Sequence, residues 1–359
     1  MNDILMPMIG TVGGAVIIDI NKKFSIKNVA LFKINSLKTI SPYIKYFLDS
    51  TFVTKQFKLE SRGGVQDFVS LNILNNIVSF SLPLKEQTQI SNYLTQKTKK
   101  IDTLIKKQQT LIELLKEKRQ ALISHVVTKG LDDSVVMKDS GVAWLGDVPE
   151  HWKISKLKFI CNFSKGLTIT KANLIEKGIP CVNYGEIHSK YGFEVSTEKH
   201  QLKCVSPSYL NNSKSSLLSK GDFVFADTSE DIEGAGNFTH VSGGDDIFAG
   251  YHTIIVRQIA EQNFRFLAYL FDSEAFRTQI RVSVKGVKVF SITQFILKAS
   301  KIWLPTIEDQ QKIAKHLDQK TKQIDTLIEK STKAIELLKE RRVALVSAVV
   351  TGKIMVNDE

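Results

Sequence analysis

The side chains best equipped for chemistry stand near the middle of the chain. Asp227, Glu230, Asp231 and Glu233 put four carboxylates within seven residues. That density suits a divalent cation and metal-assisted hydrolysis. The plainer reading is loop capping, because short acidic side chains hydrogen-bond their own turn backbone. His240 and His252 have no cysteine or acidic ligand at metal spacing and read as structural or solvent-facing residues. Thr11-Val12-Gly13-Gly14 follows a strand-like run but lacks the lysine of a phosphate-binding loop, so it reads as a tight turn. Gly-x-x-x-x-Gly-Lys-Ser/Thr, Gly-x-Gly-x-x-Gly and Asn/Asp-Pro-Pro-aromatic motifs are absent, which argues against nucleotide, dinucleotide and amino-methyl chemistry. Cys161, Cys181 and Cys204 are isolated, without CxxC spacing. They fit free thiols in a reducing cytoplasm better than a zinc site.

These residues lie between two copies of one segment. Residues 86–128 recur at 309–351, an offset of 223, with 26 of the 43 aligned positions identical. The closest match sets Gln96-Lys97-Thr98-Lys99-x-Ile101-Asp102-Thr103-Leu104-Ile105 against Gln319-Lys320-Thr321-Lys322-x-Ile324-Asp325-Thr326-Leu327-Ile328. Neither copy contains Gly or Pro before Gly130 or Gly352, and both are rich in helix formers. Apolar residues recur every seven: Leu94, Ile101, Leu115 and Leu122 in the first copy, Leu317, Ile324, Leu338 and Leu345 in the second. Leu104, Leu111, Ile105 and Ile112 flank the first column, and Leu327, Ala334, Ile328 and Ile335 the second. This predicts a coiled-coil stripe about 40 residues, or about 60 Å, long in each copy. Gln108 and Ser331 occupy the same heptad position, where a polar residue fixes register at some cost in stability. The economical expectation is that the two helices pair with each other. Self-association of two chains through the stripe is the alternative.

Composition bounds the class. The chain has 359 residues, 43% hydrophobic, and a net charge of +12, enough for two domains. No apolar run approaches the ~18 residues of a membrane span. Met1-Asn2-Asp3-Ile4-Leu5-Met6-Pro7 lacks the features of a signal peptide, so a cytoplasmic location without membrane partners is expected. Residues 131–308 carry 20 basic and 20 acidic side chains, so the basic excess lies in the helices and the N-terminal segment. Such an excess suits either a polyanion, nucleic acid first, or the solvated face of a coiled coil.

After the linker Lys129-Gly130-Leu131-Asp132-Asp133-Ser134 comes Trp144-Leu145-Gly146-x-x-Pro149-x-x-Trp152, which reads as a fixed docking turn. Strand-like runs at 179–184, 222–226 and 251–257 and a helix at 264–278 make the insert an α+β domain. Residues 1–82 look like the second half of that domain. Asp3–Met6 matches Asp222–Phe225, Pro42–Leu48 matches Phe264–Leu270, Gly64-Val65 matches Gly286-Val287, and Ser81-Leu82-Pro83 matches Trp303-Leu304-Pro305. A counterpart of roughly residues 140–220 is missing at the front.

On the Trp-Leu-Gly-x-x-Pro-x-x-Trp turn and the repeated Gln-Lys-Thr-x-x-Ile-Asp-x-Leu-Ile segments, the chain resembles the specificity subunit of type I restriction–modification systems. The resemblance spans essentially the whole chain. It implies α+β target-recognition domains alternating with two long helices paired as an antiparallel coiled coil. The segments would be 1–82, half of a first recognition domain; 83–138, a central helix and linker; 139–304, a complete second recognition domain; and 305–359, a distal helix and tail. It implies that the chain is not an enzyme. It would bind double-stranded DNA, recruit methylation (M) subunits and work with a restriction (R) subunit. No cofactor is expected in this chain, because S-adenosylmethionine and ATP would sit on the partners. The coiled coil would set the spacing between the two DNA elements read. A non-catalytic scaffold without DNA recognition is the rival reading.

Phosphate contacts need Lys and Arg, and base readout needs side chains reaching groove edges from loops. Three segments of the complete domain fit. They are Lys165-Gly166-x-Thr168-x-Thr170-Lys171, where glycine admits close approach; Asn183-Tyr184-Gly185-Glu186, where Asn suits adenine and Glu suits cytosine; and Lys285-Gly286-Val287-Lys288. Arg62 and Gln66 are the counterparts in the half-domain.

Overall fold

A computed structural model describes residues 2–9, 14–60, 68–286 and 288–356. The repeats form the helices their composition dictates, Leu84–Lys129 and Ile307–Val350. Gly130, at φ +86°, takes the left-handed conformation that ends the first of them. The fold is mixed α+β and divides into two units. Unit 1 gathers residues 1–114 and 326–359, and unit 2 is residues 115–325, so both long helices are shared between units.

Unit 1 begins with β1 (Ile4–Pro7), β2 (Val16–Ile17) and β3 (Val29–Phe32), an antiparallel sheet in the order β2-β1-β3. Helices α1 (Ser41–Leu48), α2 (Thr51–Glu60) and α3 (Leu71–Asn75) lead into α4 (Leu84–Lys129). Alternation on β1 buries Ile4 and Met6 on one face, against Tyr43, Phe47, Val53 and Phe57. Leu94 of α4 and Val346 and Val349 of the second long helix complete that core. Asp102, further along α4, accepts from Arg342 at 2.8 Å, so the helix segments in this unit run antiparallel.

Unit 2 holds β4 (Met137–Asp139), β5 (Asp147–Pro149), β6 (Lys153–Lys156), β7 (Cys161–Lys165), β8 (Ile179–Val182), the turn α5 (Tyr184–Glu186), β9 (Glu194–Val195), β10 (Lys203–Val205), α6 (Tyr209–Asn212), β11 (Leu217–Leu218), β12 (Phe223–Ala226), β13 (Thr228–Ser229), β14 (Phe238–Val241), β15 (Ile247–Ala249) and β16 (Thr253–Gln258). It continues through α7 (Phe264–Asp272), α8 (Glu274–Ser283), β17 (Phe290–Ser291), α9 (Gln294–Ala299), β18 (Lys301–Leu304) and α10 (Ile307–Val350). A five-stranded sheet, β7-β16-β12-β14-β9, and a four-stranded sheet, β10-β8-β15-β11, bury Val224 and Ile255 of the first with Val182 and Ala249 of the second. The opposite face of β12 carries Phe223 and Phe225, which pack with Phe266, Phe271 and Phe276 of α7 and α8. The single helix expected over 264–278 is two, because Ser273 takes an extended backbone and its hydroxyl accepts from Phe276 N, starting α8.

The same anchors recur at an offset of 223 in each unit. Gln87 in α4 is buried; its Oε1 accepts from Thr39 Oγ1 and Ile40 N, and its Nε2 donates to Lys38 O and Leu82 O. Gln310 in α10 accepts from Asn263 N and donates to Gln262 Oε1 and Pro305 O. Tyr46 meets Thr98, and Tyr269 meets Thr321. Gln56 brackets the backbone N–H and C=O of Val78 as Gln279 brackets those of Lys301. The true correspondence in the α1 and α7 helices is therefore Tyr46 with Tyr269, one residue from the alignment of Pro42 with Phe264. Likewise Phe80, not Ser81, stands for Trp303. The match of Gly64-Val65 with Gly286-Val287 lies outside the described residues.

The helix seam corrects one flank of the predicted stripe. Leu94, Ile101, Leu115, Leu317 and Ile324 are buried and Leu122, Leu338 and Leu345 half-buried, but Leu104 and Leu327 are 47% and 49% exposed. Thr98, Ile105, Ile112, Thr321, Ile328 and Ile335 line the seam instead. A residue four positions on lies about 40° around the helix from the central column, and one three positions on about 60° away on the other side. A two-helix contact therefore takes the nearer flank. Ser331 is buried at its heptad position and Gln108 half-buried.

A polar network locks α10 to the α+β domain of unit 2. Arg265 donates to Asp318 at 2.7 Å and Glu194 at 2.5 Å, lies over the Phe193 ring and donates to His240 Nε2. His240 is fully buried and Nδ1 donates to Phe193 O. Desolvation outweighs the hydrogen bond and lowers His240 to about 4. Burial alone would raise Glu194, but Lys199 and Arg265 outweigh it and hold the carboxyl at about 2.

Two outcomes are expected. Ile101→Ala should cost about 2–4 kcal/mol and Leu104→Ala under about 1 kcal/mol in denaturant unfolding. For His240 the depressed native value means that the unfolded chain binds the proton first as pH falls below about 6.5. Stability present above that pH is lost on acidification towards 4, by about 2 kcal/mol between pH 7 and 5. His240→Gln should flatten that part of the stability–pH curve.

Candidate nucleic-acid interface

The turn Gly250–His252, between β15 and β16, draws two of the three predicted segments together. Gly166 N donates to Thr253 O and Leu167 N to Ala249 O, fixing the first segment to one side of it. On the other side the Tyr184 ring sits 5.6 Å from Tyr251 and 5.3 Å from His252, both edge-on. His252 holds a positive φ of 54°, and its Nδ1 donates to Asp227 Oδ1 at 3.1 Å. Burial first, then the Glu186 carboxylate, raises the Tyr251 hydroxyl, which keeps its proton as a donor.

Beside this aromatic group opens a cleft of about 640 Å³, lined by Tyr184, Gly185, His188, the 228–234 loop, Asn237 and Val289. The third segment borders it because β17, which follows Lys288 and Val289, pairs with β13. Lys285 and Lys288 are exposed. Gly286 is required by the turn, since a Cβ would collide with Val289 O. The acidic loop largely supports itself. Asp231 Oδ1 accepts from Gly234 N, Asp227 Oδ1 from Thr228 Oγ1, and Glu233 pairs with Arg281 at 3.1 Å. Glu230 is exposed.

His188 carries the cleft inward. Thr228 O can only accept, so Nε2 bears the proton and Nδ1 accepts from Asn237 Nδ2, both at 2.9 Å. Asn237 Oδ1 accepts from Arg277, Arg277 pairs with Asp272, Asp272 with Arg119 of α4, and Arg119 with Asp325 of α10. A continuous polar chain thus runs from the cleft to the long helices inside unit 2.

Not every predicted residue is placed for contact. Lys165, Thr168 and Lys171 are exposed, and Tyr184 and Glu186 half-exposed. Asn183 is corrected: its side chain is fully buried, with Nδ2 unpartnered among the described residues and Oδ1 3.8 Å from Cys181 Sγ. It follows β8 on the same side as buried Cys181, where both faces of the strand end are covered, and cannot reach a base edge. Gly166 admits a close approach, but to the chain's own Gly250 carbonyl, which a Cβ would strike. Arg62 and Gln66 lie outside the described residues. His188 and Asn237 were missed because only the folded chain brings them to the cleft, and Tyr251 because only folding sets it beside Tyr184; His252, expected to be structural or solvent-facing, is exposed. The adjacent pair Tyr251-His252 after Gly250 was the one available signal.

The three cysteines are free and buried; burial, then Asp222, pushes Cys161 up to about 12, and burial, then Glu186, does the same for Cys181. No helix of the described residues is long and apolar enough to cross a membrane.

Comparison with known proteins adds four findings. Residues 149–337 match the family described as type I restriction modification DNA specificity domain. The chain is 25% identical over 99% of its length, and 80% of the relative's, to the type I restriction enzyme MjaVIII specificity subunit of Methanocaldococcus jannaschii. Its fold resembles a chain solved in work on complex assembly and conformational transition of the type I R-M system, with TM-score 0.77, 16% identity and 98% and 82% of the two chains covered. The HsdS subunit from Thermoanaerobacter tengcongensis is similar at TM-score 0.54 and 15% identity, with 98% and 81% covered.

Two glycines separate packing from surface. Gly166→Ala should lose about 1–3 kcal/mol by overpacking. Gly185→Ala, with no atom near its Cβ site, should stay within about 0.5 kcal/mol of the parent in chemical denaturation.

Proposed function

Because the chain belongs to the type I restriction–modification DNA specificity family, we propose that it reads duplex DNA through the unit 2 cleft and directs partner subunits to that site. The observation that carries this reading is one cleft lined by Tyr184, His188, Glu230 and Asn237, with the His252 ring against Tyr184 and exposed Lys288 next to Val289 of its wall. Tyr184 and His252 offer aromatic faces, Glu186 and Glu230 accept hydrogen bonds, and Lys285 and Lys288 suit phosphate. The chain supplies recognition and no catalysis. Methylation subunits dock on the long helices and carry S-adenosylmethionine, and the restriction subunit carries ATP. The paired helices set the separation of DNA elements read by the assembly. The balanced charge of residues 131–308 leaves much of the phosphate grip to those partners, so affinity of the complex falls steeply with salt.

The test uses the complex reconstituted with its methylation subunits. Lys285→Ala with Lys288→Ala should weaken binding to all sequences and reduce the salt slope by about 2. Tyr184→Ala or Glu230→Gln should change which sequence is methylated. A salt slope and methylated motif unchanged by all four substitutions would rule out the cleft as the reading site.

A further inference from the structure

Residues 131–308 carry equal numbers of acidic and basic side chains, but the two signs are not evenly mixed. Residues 151–175 contain Lys153, Lys156, Lys158, Lys165 and Lys171 without one Asp or Glu. Residues 275–307 contain Arg277, Arg281, Lys285, Lys288, Lys298 and Lys301, again without an acid. Folding sets the two stretches side by side. Strand β6 pairs with β18. Leu157, in the turn Leu157–Phe159 after β6, shares its core with Leu297 of α9, which packs on that turn. Lys298 of α9 lies over the Phe163 ring of β7, 5.5 Å from its centre. One flank of unit 2 is therefore basic although acids and bases balance over the whole stretch.

Two features of this flank go against ordinary packing. Lys156 and Lys301 stand directly opposite each other across the β6–β18 pair. Like charges so placed repel and weaken the pairing. Among the described residues the lysines held in ion pairs are Lys45, Lys199, Lys203 and Lys312, so Lys153, Lys156, Lys158, Lys298 and Lys301 have no acidic partner there. The second feature is aromatic. Phe159 is 63% and Phe295 79% exposed, while their neighbours Leu157 and Leu297 are fully buried. Lys158 lies over the Phe159 ring at 4.9 Å. Unit 1 shows that the shared frame needs neither feature. At the offset of 223, buried Leu74 of α3 stands for Leu297 of α9. Around it Asn72 and Asn75 stand for Phe295 and Lys298, and Val78 stands for Lys301. Residues that break a local rule without serving the frame point to a function.

We propose that this flank, made by the end of β6, the turn at 157–159 and α9, binds single-stranded nucleic acid. The lysines take the backbone phosphates, and the two phenylalanine rings stack on unpaired bases. A duplex keeps the faces of its bases inside its own stack, so exposed rings among unpaired lysines suit a single strand better than a double one. This surface goes beyond duplex reading at the cleft and stands whether or not the cleft reads DNA.

The probe is a fluorescent oligothymidylate, titrated with the full chain and followed by anisotropy beside a duplex of equal length. Phe159→Ala with Phe295→Ala should weaken oligothymidylate binding about tenfold or more. Phe159→Trp with Phe295→Trp should retain it, which separates loss of stacking from loss of fold. Lys156→Gln with Lys158→Gln should reduce the salt slope by about 1.4, as expected for two phosphate contacts on a single strand. A parent chain that does not bind the probe would overturn the proposal, and so would affinity that survives loss of both rings. Equal weakening of duplex binding by the alanine pair would also overturn it, since the flank would then be a general polyanion patch. Competition by polyglutamate as strong as by unlabelled oligothymidylate would overturn it in favour of an acidic protein partner.

Discussion

A buried amide near the start of each long helix is the constraint on which the architecture rests. Gln87 donates twice and accepts twice, Gln310 donates twice and accepts once, and each finds backbone and side-chain partners in the adjoining globular part. An unpaired buried amide is costly, so helix and globular wall must meet in one geometry. Tyr46 and Tyr269 then fix the rotation of each helix, and the apolar column beyond them is left facing the other helix. The wall and the seam are thus set by the same two or three turns of sequence.

The two units elaborate this common frame differently. In unit 2, Asp318 stands where unit 1 has Thr95, and it anchors Arg265, Glu194 and His240 in a charged network. At the corresponding place in unit 1 the described contacts are between hydroxyls, Tyr46 to Thr95 and Thr98. Unit 2 also bears the cleft, whose walls come from the turns after β8, the loop after β12 and the segment before β17. Its inner wall is tied through Asn237, Arg277 and Asp272 to Arg119. The polar chain gives the cleft a fixed position relative to the helix segments of its own unit.

Much of the frame was legible because its signals are local and periodic. The repeat at 223, the helix composition and the seven-residue apolar spacing are properties of short windows, and they fixed both long helices. The side of the seam was not legible, since Leu104 and Ile105 are equally apolar and only helix geometry favours the isoleucine. Ser273 broke an expected helix because a cap outweighs a continuous apolar face. At the candidate site, the loop positions of Lys285 and Lys288 were readable from glycine and charge, whereas Lys165 ends β7. The burial of Asn183 was not, because it depends on which way β8 faces within a sheet assembled from residues up to 70 positions away. The convergence of Tyr184, Tyr251 and His188 is likewise a product of tertiary pairing.

The division of the chain has a consequence for synthesis on the ribosome. Unit 2 is one unbroken stretch, residues 115–325, whereas unit 1 takes Leu94 from near one end and Val346 and Val349 from near the other. Its N-terminal part therefore emerges first but must wait for more than 200 residues to be translated before its core can close. Vectorial synthesis makes unit 2 the first to fold, with the earlier-made sheet of unit 1 held open meanwhile as a nascent-chain hazard for aggregation.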